Sequence, residues 1–144
     1  MVLLPRGDGL PDDVVAGHIR ALQPGHLMDV ASTDQHTVKP WFDGRLDFAP
    51  LVKKDLRAEG YPLAGGRLDY LGGRTVAALV YQRRQHIINP FVWPDSHHSD
   101  RSSVDGDHSG YNVQRWNRDG MAFWAVSDLN AQELAEFVRL WQTE

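Results

Sequence analysis

Asp34, His36, Lys39, Trp41 and Arg45 crowd one short stretch of the 144-residue chain, and their types suit capture of an anion. On a helix, His36 and Lys39 stand three positions apart and share a face. Arg45 joins them beyond the helix end. Imidazole, ammonium and guanidinium groups together can hold a carboxylate or phosphate, with the Trp41 ring as an apolar wall. The competing reading is structural: Trp41 and Phe42 anchor the helix, and the cations pair with Asp34, Asp43 and Asp47. His36, Lys39, Trp41 and Arg45 are therefore the candidate ligand- or partner-binding residues.

Other groupings carry less. Asp95, His97, His98, Asp100, Asp105, Asp107 and His108 offer the imidazoles and carboxylates that divalent ions take. They share one polar stretch without a helical i, i+4 pair to fix geometry, so a solvated loop is the better reading and no metal is expected. Ser102, Ser103 and His108 supply the letters of a catalytic triad, but no Gly-x-Ser-x-Gly elbow is present. A hydrolase built on His36 and nearby aspartates needs a cleft and a shifted histidine pKa, which sequence does not display. Gly65-Gly66 and Gly72-Gly73 open no helix after a strand and precede no Gly-Lys-Ser/Thr, so they read as strand or turn glycines. No catalytic residue and no cofactor is assigned, and an enzyme is not expected.

The elements that must position these residues follow from periodicity. A helix starts near Pro11, with Asp12 and Asp13 in a first turn that favours acids. Val15, Ile19 and Leu22 recur at helical spacing as its core face, and Pro24-Gly25 ends it. A short helix is expected over 36–43, stopped by Gly44, with Pro40 tolerable only in a first turn. Residues 53–59 add a helical turn ended by Gly60. The period then changes to two: strands over 63–71, 75–82 and 86–93, the first two joined at Gly72-Gly73. Pro90 suggests an edge or a bulge. Arg83-Arg84 reads as a hairpin tip. A polar, mobile loop is expected over 94–109, followed by a hairpin of strands 111–116 and 121–126 around 117–120. The last helix has Asn130 as cap, Glu133 at the capping-box position and Leu129 with Leu134 as staple. Leu134, Phe137, Val138 and Trp141 face the core.

These elements make an α+β fold: an antiparallel sheet of about five strands with N-terminal helices and a C-terminal helix packed on it. The chain length suits one domain, with 1–10 a flexible lead-in and 11–144 a single sensor-like domain. A hydrophobic fraction of 42% and a charged fraction of 24% are ordinary for a globular protein. A net charge of -4 argues against a nucleic-acid surface. The absence of cysteine excludes disulfides, thiolate metal sites and cysteine nucleophiles. No apolar run reaches the length of a membrane span, and the N-terminus does not read as a signal peptide.

Several segments occur together in a familiar order. They are residues 29–42 (Asp-Val-Ala-Ser-Thr-Asp-Gln-His-Thr-Val-Lys-Pro-Trp-Phe) and 44–48 (Gly-Arg-Leu-Asp-Phe). They continue with 65–70 (Gly-Gly-Arg-Leu-Asp-Tyr), 73–81 (Gly-Arg-Thr-Val-Ala-Ala-Leu-Val-Tyr), 86–89 (His-Ile-Ile-Asn) and 124–129 (Trp-Ala-Val-Ser-Asp-Leu). From about Val14 to Trp141, with a gap at 94–109, the chain resembles the extracytoplasmic domain of bacterial transmembrane anti-sigma factors. Pro90 departs from the pattern, which has an aliphatic residue there. The resemblance implies a longer, single-pass protein: a cytoplasmic part holds an extracytoplasmic-function sigma factor, one helix crosses the inner membrane, and this domain lies on the periplasmic side. It implies a sensory or interaction domain that meets a periplasmic signal or partner and controls release of the sigma factor. The sigma-binding and membrane-crossing segments are not among the residues of this chain, and no catalytic residue or ligand comes with the resemblance. The alternative reading is a stand-alone small-ligand or metal-binding module.

Overall fold

The computed structural model describes residues 10–23, 25–50, 56–95, 102–108 and 110–142. Its centre is an antiparallel sheet: β1 (Val30–Ala31), β2 (Leu63–Leu71), β3 (Arg74–Arg83), β4 (His86–Pro94), β5 (Ser102–His108), β6 (Tyr111–Arg118) and β7 (Met121–Ser127). Their order across the sheet is β1-β2-β3-β4-β7-β6-β5. Three α-helices flank it: α1 (Leu10–Ala21), α2 (Gln35–Phe42) and α3 (Ala131–Gln142). The α+β class and the placing of the helices stand as expected, but the sheet is larger. The extra strands are the two-residue β1 and β5, which lies within the stretch expected to be a loop. Polar composition hid β5; its backbone gains order by pairing with β6, as in Val104↔Gln114 and Asp107↔Asn112. Residues 1–9 of the expected lead-in lie outside the described residues, and Leu10 already belongs to α1.

Two of the tight turns are made by residues that tolerate positive φ. Gly72 (φ 58) and Gly73 (φ 83) close β2 on β3, and Asp119 (φ 56) and Gly120 (φ 78) close β6 on β7. Between β3 and β4 the tip residue Arg84 also has positive φ, and Arg83 and Arg84 both bind the Glu133 carboxylate of α3. The expected turn over 53–59 is a single 3-10 turn, Arg57–Glu59, ended by Gly60; residues 51–55 lie outside the described residues.

Alternation along the strands sends apolar residues to both faces of the sheet, so both faces carry a core. One face packs against α2 and α3. Val38 and Phe42 of α2 and Leu134, Phe137, Val138 and Trp141 of α3 cover Leu63, Leu79, Tyr81, Ile88, Val92, Trp116 and Phe123. Trp116 stacks on Phe123 at 5.2 Å between centroids, and Trp141 meets both edge-on. As expected, α3 is capped by Asn130, whose Oδ1 accepts from the Glu133 backbone N–H at 2.8 Å. The Arg84 and Arg83 guanidiniums hold the Glu133 carboxyl down at about 2.

The other face packs against α1 and differs in chemistry. Val14 and Val15 join Val76, Ala78, Phe91, Val113, Trp124 and Val126. Here the expected stripe is corrected: Ile19 and Leu22 are exposed, whereas Val14, His18 and Ala21 are buried. The buried positions 14, 18 and 21 keep helical spacing; counting His18 as polar obscured them.

Two prolines also sit where sequence reading disfavoured them. Pro40 lies in the second turn of α2, whose N-terminus is fixed by Asp34 accepting from the His36 backbone N–H at 2.8 Å. Helix α2 ends two residues later, so the proline interrupts little. Pro90 is neither at an edge nor at a bulge but in central β4, between β3 and β7, with the register unchanged on either side of it. The β3–β4 ladder skips there, pairing Ala78↔Phe91 and then Tyr81↔Ile88. Proline brings no N–H to the Leu79 carbonyl, and the side chain of Asn89 donates to it instead, at 2.9 Å. Among the described residues no helix is long and apolar enough to cross a membrane.

Candidate functional site

Helix α2 presents its candidate residues by burying the opposite side. Val38 and Phe42 are fully buried, and Gly66 of β2 gives them room: a Cβ there would lie 3.0 Å from the Phe42 ring and 3.3 Å from Val38. With that face down, His36 and Lys39 are exposed and Trp41 is half-buried. Among the described residues, no side-chain hydrogen bond or ion pair engages His36 or Lys39, and neither pairs with Asp34. Asp34 instead serves as the helix cap.

Trp41 and Arg45 do come together. The Arg45 guanidinium lies over the Trp41 ring, 4.5 Å from its centroid, and donates to the Trp41 backbone carbonyl. Cation–π stacking and the hydrogen bond fix the arginine's direction. The expected group of four thus divides into an oriented Trp41–Arg45 pair and two solvent-facing cations on α2.

Arg45 also lines a half-open cleft of about 280 Å³, with Leu46, Asp47, Arg74 and Thr75. The chain passes Arg45 and Asp47 just after α2, while Arg74 and Thr75 open β3 after the Gly72-Gly73 turn. Arg74 donates to the Pro94 carbonyl at 3.3 Å. Sequence reading found Arg45 but missed Arg74 and Thr75. Their only signal was position beside a hairpin turn; their approach to Arg45 depends on packing of α2 on the sheet.

A second polar centre lies beneath α1. His18 is 1% exposed and Asn89 0%. Asn89 Nδ2 donates to Leu79, so its Oδ1 is the acceptor facing His18 Nδ1 at 2.8 Å. This makes Nδ1 the protonated nitrogen of the neutral ring. Burial lowers the His18 pKa, and the Arg67 guanidinium adds to the effect; Asn89 and Asp128 oppose it. Tyr111 closes the site edge-on at 5.2 Å. Nearby, buried Arg67 donates to the Gly17 and Leu27 carbonyls and pairs with Asp69 at 2.9 Å, and Asp69 also binds Arg20 of α1. These groups tie α1 to β2 and β4.

Histidine also meets carboxylate at the surface, where His86 Nδ1 lies 2.8 Å from Asp128. Ser127 turns its hydroxyl away to the Ile87 carbonyl, so it does not complete a triad with this pair. Among the described residues, no group of three or more histidines or carboxylates is arranged to hold a metal ion. The side chains of the histidine-rich stretch at 96–101 and 102–109 lie outside the described ones. No protein-family profile, curated protein or solved structure matches the chain.

Proposed function

We propose that this chain is the periplasmic sensory domain of a membrane-anchored anti-sigma factor. It acts by binding and signalling and not by catalysis. The observation that carries this reading is how the segments resembling that family pack on one another. Val38 and Phe42, from residues 29–42, seat on Gly66, from residues 65–70. Arg67 and Asp69 of that second segment receive α1, and Asn89, from residues 86–89, receives His18. Residues of these segments join helices to the sheet, as a fold held in common with that family would require. Signalling needs a ligand or partner that favours one of two states of the domain. The surface formed by exposed His36, Lys39 and Arg45 with half-buried Trp41 is the proposed place of contact.

The test is a fractionation of the native cells, probed with antiserum to this domain. A reactive band in the membrane fraction, running well above 16.3 kDa, is expected. A soluble band near that mass sinks the reading. In the same cells, the double variant His36→Ala, Lys39→Ala is expected to change expression from a promoter dependent on the cognate sigma factor. Both side chains are exposed and unengaged among the described residues, so the variant should unfold within about 0.5 kcal/mol of the parent in urea. A signalling defect explained by lost stability would remove these two residues from the contact surface.

A small-ligand module is the second reading, favoured by the cleft between Arg45 and Arg74.

A further inference from the structure

We infer that the cleft between Arg45 and Arg74 is a binding site for a phosphate group that carries a neighbouring ammonium or hydroxyl. Arg45 and Arg74 carry charge that no carboxylate among the described residues neutralises. Elsewhere, Arg20 and Arg67 share the Asp69 carboxylate, and Arg83 and Arg84 share that of Glu133. Arg45 and Arg74 are held differently. Each gives an N–H to a backbone carbonyl, Trp41 for one and Pro94 for the other. Neither forms an ion pair with a carboxylate among the described residues.

A guanidinium has five donors in a rigid fork, so anchoring one leaves several available. Stacking on Trp41 at 4.5 Å further fixes Arg45. The ordering cost of binding is reduced when the donors are already oriented. Both arginines line one cleft together with Thr75. Two guanidinium-bearing residues and a threonine in one lining suit the tetrahedrally arranged oxygens of a phosphate monoester or diester better than the two coplanar oxygens of a carboxylate. Asp47, on the same wall, repels a bare anion. It accepts a hydrogen bond from an ammonium or hydroxyl on the same ligand, which sets the second half of the specificity. The volume of about 280 Å³ suits a head-group-sized molecule.

A lipid headgroup and a soluble phosphate ester share this chemistry. The inference deepens the sensory reading by naming a ligand class for part of the proposed contact surface, but binding itself does not depend on the sigma factor. The experiment is calorimetry of the 144-residue chain with phosphoethanolamine, glycerol 3-phosphate, inorganic phosphate and acetate at low ionic strength. Saturable binding of the first two, tighter than inorganic phosphate and much tighter than acetate, is expected. Arg45→Gln and Arg74→Gln should each weaken it by about ten- to a hundredfold, the usual effect of losing a charged donor. Thr75→Val should weaken it less, and Arg20→Gln, which removes the same charge outside the cleft, should leave it unchanged. Circular dichroism checks that each variant is folded.

Sedimentation with phosphatidylethanolamine–phosphatidylglycerol vesicles, against phosphatidylcholine alone, then identifies the source. Arginine-dependent vesicle binding assigns a lipid headgroup; soluble-ester binding without it assigns a free phosphate ester. Absence of saturable binding by both esters and vesicles overturns the inference, as does acetate binding equally well or equal weakening by Arg20→Gln. If binding is lost but the membrane fractionation stands, only this inference fails. If binding holds but the chain is soluble near 16.3 kDa, only the sensory reading fails.

Discussion

Asn89 does two tasks that a hydrophobic residue in the same space could not. Its Nδ2 satisfies the Leu79 carbonyl left without a partner by Pro90, and its Oδ1 accepts from His18. Asn89→Leu strands both, and each buried orphan costs about 1–3 kcal/mol. Urea unfolding should show the sum of the two; a loss below about 1 kcal/mol would mean that water or another side chain replaces the amide. His18 sets a pH dependence. Its folded pKa lies below the ordinary 6.5, so on acidification the unfolded chain takes up the proton first. Stability is then complete above about pH 6.5 and falls as pH drops below it, by at most about 1.4 kcal/mol per pH unit. Burial is the main cause of the shift, Arg67 adds to it, and Asn89 and Asp128 oppose it, while Tyr111 packs edge-on against the ring. His18→Asn keeps a neutral donor near Nδ1 and cannot titrate. Its melting temperature should be lower at pH 7 but should lose less between pH 7 and 5; an unchanged acid slope would place the titration elsewhere.

Elements meet here through glycine. At Gly66 a Cβ would press on the Phe42 ring at 3.0 Å, a contact that side-chain movement relieves in part. At Gly65, with φ +157, the added Cβ would meet the Val30 backbone oxygen, and backbone cannot step aside cheaply. Gly66→Ala should therefore cost about 1–3 kcal/mol, with Gly65→Ala costing more and detaching β1 from β2. Denaturation midpoints in the reverse order would show that α2, not β1, is the rigid partner. The same pair marks how far sequence reading reaches. Gly65-Gly66 was legible as strand glycine, but not its role, because Val30 and Phe42 are distant in the chain. Helix α3 was legible in its cap and core stripe, since these signals are local. The Gly72-Gly73 turn was legible for the same reason, whereas strand β6 runs on to Arg118 and shortens the expected loop 117–120 to Asp119-Gly120. Strand β5 was not, because its order comes from pairing with β6 and not from composition. In the site, Trp41 and Arg45 were legible as members of one cluster but not as a stacked pair, because Arg45 lies beyond the end of α2, and Arg74 needed the fold. On the sheet edge by β1, the Leu68 and Tyr70 N–H groups are covered by Asp29 and Asp69, which blunts strand addition there.

The molecule as a whole is a sheet with unlike faces, and this asymmetry orders its opening. Helices α2 and α3 sit on an apolar, aromatic cluster with Phe42, Phe137, Trp116, Phe123 and Trp141 at its centre. Such contacts come apart only with the core itself. Helix α1 is held differently. Val14 and Val15 supply apolar burial, but His18, the Gly17 carbonyl and Arg20 rely on partners in β2 and β4. Polar contacts exchange for water at little net cost when a helix lifts, whereas apolar burial does not. Opening of α1 should therefore need less free energy than global unfolding. Acid should lower it further, because a lifted His18 is free to protonate. Native-state amide exchange tests this directly. Amides of α1 are expected to exchange through a subglobal opening at pH 7 that becomes easier at pH 5.5, while those of α3 follow global unfolding. The difference between the helices should widen with acid in the parent and stay nearly constant in His18→Asn. Equal opening free energies for α1 and α3 at both pH values would mean that the two faces unfold as one unit and that the polar seam beneath α1 confers no independent movement.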